Sequence, residues 1–153
     1  MTMLFGIEDE AAKNIMFATW DGQKWNAMQY DHDLAMGIDF QAQTLKTSAN
    51  SFNLTDFMSK NKLIQRLIHL HLIDNLLIDS FNKFASTHSF LSLQKDYRKY
   101  MYHVGAVNYD NNETLWPDMP GRKYFNTDHV MDYLRERYTD CQTWFTKSYL
   151  GKL

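Results

Sequence analysis

The longest segment of this chain without glycine or proline lies between Ile38 and Val104. Glycine interrupts helices through its backbone freedom and proline through its missing N–H, so nothing in this segment breaks a helix outright. The apolar spacing within it also follows the helical period. The sequence therefore predicts one long helix from about Leu54 to Ala85. Positions that recur every seven residues along it are Phe57, Ile64, His71, Ile78 and Ala85.

Two further helical stripes follow this segment. The first runs from Phe90 to Val104, and Gly105 is well placed to terminate it. The second predicts a final helix from about Thr127 to Tyr149, with Asn126 or Thr127 as its N-cap. The apolar positions of the final helix are Val130, Met131, Leu134, Tyr138, Cys141, Trp144, Phe145 and Tyr149.

The N-terminal third has two interpretations. The stretch "IEDEAAKNIMFATW" has helical spacing ended by Gly22, and helical spacing resumes from Met28 to Leu45, which favours helix. The alternative is that "ATWDGQKW" forms an Asp-Gly hairpin turn between two strands. A second irregular region, from Ala106 to Phe125, holds both prolines and is predicted to be a long aromatic-rich loop.

Length and composition indicate one folded domain. With 153 residues, 44% of them hydrophobic, 22% charged and a net charge of -2, the chain resembles ordinary globular proteins rather than disordered ones. We expect residues 1–153 to form a single helical domain, an all-α (mainly α) bundle of four to five helices. An α+β fold with a small N-terminal β-hairpin is the structural alternative.

Charge and cysteine content exclude several classes of protein. The near-neutral chain lacks the basic excess that nucleic-acid binding normally requires. Its single cysteine, Cys141, cannot form an intrachain disulfide, so a cytoplasmic, reducing location is expected. The first ten residues lack a basic region leading into an apolar one, and no segment is apolar enough to span a membrane.

Polar residues lie in the middle of the expected apolar face of the long helix. His71, Asn75 and Asp79 fall among isoleucines, with Asp74 one turn beyond His71. Burying such groups without partners costs roughly 1–3 kcal/mol each, so each needs a hydrogen-bonding partner. Three interpretations remain open: a structural network between helices, an interface for another protein or a second copy, and a small-molecule or metal pocket.

The metal interpretation depends on spacing alone. His71 and Asp74 lie three residues apart, as do His129 and Asp132, so each pair shares one face of a predicted helix. His-x-x-Asp occurs often by chance, and the glutamate pattern of di-iron bundles is missing. We therefore expect neither a bound metal nor a cofactor.

The aromatic-rich loop from Ala106 to Phe125 contains a second group of candidate binding residues. Tryptophan, tyrosine and arginine are enriched at the energetic centres of protein interfaces. By this criterion the binding candidates in the loop are Tyr109, Trp116, Arg122 and Tyr124.

The sequence contains no recognisable catalytic set, and its aromatic content of 15% is more than a small bundle needs for its core. The leading expectation is therefore a small soluble, non-catalytic protein-binding module that acts as an adaptor, inhibitor or regulator and associates with itself. The competing hypothesis is a helical-bundle enzyme or ligand carrier. Its pocket between the central and C-terminal helices would be lined by His71, Asp74, Asn75, Asp79 and His129.

Overall fold

The computed structural model describes residues 2–7, 13–31, 35–37, 46–117 and 127–153 of the chain. Most of these residues are helical, and the sheet they contain is a two-stranded antiparallel hairpin. The predicted mainly α fold is therefore confirmed, together with the N-terminal hairpin of the alternative. The elements are α1 (Thr2–Phe5), β1 (Ile15–Ala18), β2 (Asn26–Gln29), a short 3-10 helix (Ser48–Asn50), α2 (Leu54–Lys60), α3 (Lys62–His69), α4 (Asp74–Thr87), α5 (Phe90–Val104), α6 (Ala106–Leu115), α7 (Thr127–Trp144) and α8 (Lys147–Leu150).

The N-terminal hairpin corrects the prediction of helix there. Between β1 and β2, Asp21 Oδ1 accepts hydrogen bonds from the backbone N–H groups of Gln23 and Lys24, each at 2.8 Å. The hydroxyl of Thr19 accepts another from the N–H of Gly22, whose φ is +70°. These bonds from Lys24 and then Gln23 also lower the pKa of the Asp21 carboxyl. Local turn chemistry therefore outweighs the helical spacing of the apolar residues.

The predicted single helix from Leu54 to Ala85 is wrong, because the chain forms α2, α3 and α4 there. Asn61 separates the first two: its backbone is extended, and its side chain accepts a hydrogen bond from the N–H of Ile64 at 3.1 Å. Between α3 and α4 the chain turns at His71, whose φ is 53°. Asparagine is a favoured N-cap residue because its side chain replaces a missing backbone partner. Neither break is marked by glycine or proline.

The C-terminal half agrees with the prediction in its helices and differs in its loop. Helix α5 has the predicted bounds, with Gly105 as its C-cap. The final helix, predicted from Thr127 to Tyr149, is present as α7 but ends at Trp144. Thr146 has an extended backbone and starts the separate helix α8 by accepting a hydrogen bond from the N–H of Tyr149. The predicted loop from Ala106 is wrong over α6, which begins directly after Gly105, while residues 118–126 lie outside the described ranges. A membrane-spanning helix needs about 20 predominantly apolar residues, and no helix in the described ranges satisfies this requirement.

Helix α7 forms the centre of the core and holds the N-terminal segments. Glu136 accepts a hydrogen bond from the N–H of Ser48 at 2.9 Å, and Asp140 accepts one from the Ser48 hydroxyl. Tyr133 lies so close to Gly6 that a methyl group added to this glycine would overlap the tyrosine hydroxyl. The buried residues of α7 are Val130, Met131, Tyr133, Leu134, Arg137, Tyr138, Cys141 and Trp144.

Arg137 is the one charged residue in that buried set, and it is fully enclosed. Its Nε and Nη2 donate to the carbonyl oxygen of Met3, and its Nη1 donates to the carbonyl oxygen of Phe52 at 2.9 Å. The guanidinium carbon also lies 5.4 Å from the ring centre of Phe52 and 4.7 Å from that of Trp144. One side chain therefore joins α1, the segment before α2 and the end of α7.

Replacing Arg137 with methionine should destabilise the fold. The variant removes the donors of two carbonyl groups, and an unsatisfied buried group costs about 1–3 kcal/mol, so a total loss of about 2–6 kcal/mol is expected. Urea denaturation followed by circular dichroism measures this loss. Arg135→Met is the matched control: Arg135 is more than half exposed, and exposed ion pairs contribute about 1 kcal/mol or less. Equal stability of the two variants would contradict the assigned role of Arg137.

Candidate functional site

The polar residues predicted to face inward from the central helix lie at the surface instead. His71 sits in the turn before α4, and its side chain is 56% exposed. Its Nδ1 lies 2.8 Å from Oδ2 of Asp74, which is the better buried member of the pair. Asn75 and Asp79 are both exposed on α4. The expectation that these groups enter the apolar face is therefore wrong, because the turn at His71 rotates α4 relative to α3.

The exposed face at this turn is not purely polar. Leu70, Leu72 and Leu76 are each more than half exposed and lie close in sequence to His71 and Asp74. Apolar residues exposed singly are normal, whereas several in one place are typical of contact surfaces. The turn therefore combines an imidazole and a carboxylate with exposed leucines, which suits contact with another molecule better than an enclosed pocket.

The second predicted histidine pair is arranged differently. His129 is half-buried at the start of α7, where its ring lies beside that of Tyr133 with 6.4 Å between centres. Asp132 is exposed and forms an ion pair with Arg135 at 2.6 Å. Within the described ranges, no group of three or more histidine, cysteine, aspartate or glutamate side chains is placed to hold a metal ion.

The aromatic residues predicted in the loop after α5 divide into two environments. Tyr109 is half-buried on α6, and its hydroxyl donates to the sulfur of Met101 at 3.0 Å, which attaches α6 to α5. Burial, followed by the neighbouring Tyr100, raises the pKa of this hydroxyl. Trp116, at the end of α6, is 62% exposed. Arg122 and Tyr124 lie outside the described residues.

A group of exposed aromatic and methionine side chains lies on the hairpin, which the prediction of helix did not identify. Trp20 is 87% exposed and Trp25 is 62% exposed, one on each side of the turn. In the strands Met16 lies directly opposite Met28, and both side chains are about half exposed. We call this set the hairpin surface. Its members are Met16, Phe17, Trp20, Trp25, Met28 and Tyr30.

A hydrogen bond attaches the hairpin to the first helix. The amide of Gln29 in β2 donates to the hydroxyl of Thr2 in α1 at 2.7 Å. Two-stranded hairpins are marginally stable in water unless another element covers one face. The described fold leaves the apolar side chains of the hairpin surface largely exposed. They are therefore free to contribute to a contact with another molecule.

Cys141, which the sequence places among buried hydrophobic residues, is fully buried in α7. Burial raises the pKa of its thiol to about 11, although the neighbouring Arg137 opposes the shift. The residue is therefore a neutral thiol at physiological pH.

Comparison of the chain with protein-family models, with curated proteins and with solved structures found no match.

Substitutions at His71 should distinguish a left-handed surface turn from a buried network. Both His71→Gly and His71→Val remove the contact with Asp74, so their difference reports backbone conformation. A left-handed backbone conformation is less stable by about 1–2 kcal/mol for a residue with a Cβ atom, and β-branched residues such as valine are affected most. The glycine variant should therefore be about 1 kcal/mol more stable than the valine variant in urea denaturation, after allowing for glycine's greater entropy.

His69, at the end of α3 and also exposed, provides the control for this comparison. In helical geometry valine is preferred to glycine, so the order of stability should reverse at this position. If valine were the more stable substitution at both positions, the assigned turn at His71 would be wrong.

Proposed function

We propose that this chain is a non-catalytic protein-binding module, of the adaptor, inhibitor or regulator type, that associates with a second copy of itself through the hairpin surface. The observation that supports this most is the concentration of exposed Trp20, Trp25, Met16 and Met28 on one small hairpin. Tryptophan contributes strongly to protein interfaces because it buries a large rigid surface. A cytoplasmic setting fits the free, buried Cys141.

The sequences of the two strands also lack the residues that commonly keep strand edges from pairing with other chains. Soluble proteins protect exposed strand edges with lysine, proline, bulges or covering elements. Strand β1 reads IMFA and β2 reads NAMQ, so neither contains a charged residue or a proline. Within the described ranges the sheet has these two strands, and each has another edge. Both edges are therefore chemically suited to strand addition.

The absence of charge in the strands favours a second copy as the partner. In a two-fold symmetric contact each patch meets an identical patch, so a like charge would meet its equivalent or a close neighbour. Like charges directly opposite one another destabilise paired strands. Uncharged strands meet no such repulsion, and the side chains of Met16 and Met28, which share one face, can interdigitate across the two-fold axis.

A lysine in the first strand should weaken self-association. Met16→Lys places a charge at the centre of the proposed contact, and each tenfold loss of affinity corresponds to about 1.4 kcal/mol. We expect the dissociation constant, measured by sedimentation equilibrium at micromolar concentrations, to rise at least about tenfold. Leu91→Lys is the matched control, because Leu91 is more exposed than Met16 and belongs to α5 rather than to the hairpin.

Two further variants test the tryptophan contribution separately from charge. Trp20 and Tyr102 are almost equally exposed, at 87% and 85%. Trp20→Ala should weaken the association while Tyr102→Ala leaves it unchanged, with circular dichroism confirming that both variants fold. A strictly monomeric parent protein, or equal association of the hairpin variants and their controls, would contradict the proposal.

A further inference from the structure

We infer that the apolar cavity beneath α1 is a binding site for one small, uncharged, apolar molecule. This cavity has a volume of about 330 Å³ and lies between α1, α2, α3, α4 and α7. It is separate from the hairpin surface, and the inference does not depend on the proposed self-association.

The walls of the cavity are apolar. Phe57 and Ile68 line it from α2 and α3, Phe81 and Phe84 from α4, and the thiol of Cys141 from α7. Neutral at physiological pH, this thiol adds no charge. Small-molecule sites in proteins are typically concave, lined by hydrophobic and aromatic side chains, and about 300–1,000 Å³ in volume. The cavity meets each of these criteria.

Its size limits the ligand. An apolar cavity of about 150 Å³ is known to hold one benzene molecule, so a cavity of this volume has room for about a dozen non-hydrogen atoms. A medium-length alkyl chain or a two-ring aromatic has this size. The aromatic rings of Phe57, Phe81 and Phe84 provide flat surfaces against which either can pack.

The polar groups around the cavity define the chemical class of the ligand. Among its lining residues none carries a formal charge at neutral pH, and the two hydroxyl groups belong to Thr2 and Ser80. The Thr2 hydroxyl already accepts a hydrogen bond from Gln29, whereas Ser80 lies at the exposed side of the cavity. The lining side chains offer a carboxylate no cation, and the neighbouring Arg137 already donates to the carbonyl oxygens of Met3 and Phe52, so a carboxylate would lose hydration here without gaining an ion-pair partner in the cavity wall. An alcohol, by contrast, can bury its chain and bond with Ser80 at the opening.

Decyl alcohol and decanoate form the probe pair for this inference. Decyl alcohol should raise the melting temperature in a concentration-dependent way, because a ligand that binds only the folded state stabilises it. Decanoate at pH 7 should bind at least about tenfold more weakly. Failure of decyl alcohol to shift the melting temperature up to its solubility limit would overturn the inference, and equally tight binding of decanoate would overturn the assigned chemical class.

The single cysteine supplies an independent measurement at the site itself. Cys141 lines the cavity and is fully buried, so methyl methanethiosulfonate reaches its thiol only when the surrounding helices open. Decyl alcohol should slow this modification, followed by mass spectrometry of the full chain. Unchanged modification at a saturating alcohol concentration would show that the molecule binds elsewhere and overturn the assignment.

A substitution at the opening tests the location without disturbing the core. Ser80→Phe places a ring at the exposed side of the cavity and should weaken decyl alcohol binding at least about tenfold. Ser86→Phe is the matched control, because Ser86 is exposed on the same helix and does not line the cavity. Equal binding by the two variants would overturn the inference. Self-association, measured in parallel, should be the same in both.

Discussion

The buried guanidinium of Arg137 is the interaction on which the described fold most depends. Removing this charge from water is costly, and the described residues provide no carboxylate to neutralise it. Three hydrogen bonds to the carbonyl oxygens of Met3 and Phe52 offset that cost, together with the aromatic faces of Phe52 and Trp144. Arginine suits this position because its planar group donates in several directions and stacks on rings.

The cavity follows from this arrangement. The first helix lies against α7 because Arg137 holds the backbone at Met3, and the same short helix forms one wall of the cavity. Cys141 lies one helical turn beyond Arg137 on α7 and forms another wall. A helix of four residues has little stability of its own. The apolar site therefore exists because a buried polar contact fixes α1 over the core.

Sequence patterns predicted α5 and α7 well, because each combines an apolar stripe with a clear terminal residue, such as Gly105. They failed where one side chain redirects the backbone. Asn61 and His71 divide the central segment, and the seven-residue spacing through His71 assumed a continuous helix. A break in the helix changes the direction of every later side chain, so Asn75 and Asp79 appear at the surface. The burial of Arg137 could have been predicted from its position, since it lies three residues after Leu134 and four before Cys141 on the apolar stripe.

The hairpin is linked to the cavity at Thr2, which lines the cavity and accepts a hydrogen bond from Gln29 of β2. This contact is one route by which a molecule in the cavity can influence the hairpin. A neutral hydrogen bond contributes about 0.5–1.5 kcal/mol, so coupling through it alters affinity by about tenfold at most. The covalent connection through residues 8–12 lies outside the described ranges. Through this hydrogen bond, the cavity and the hairpin are therefore only weakly coupled.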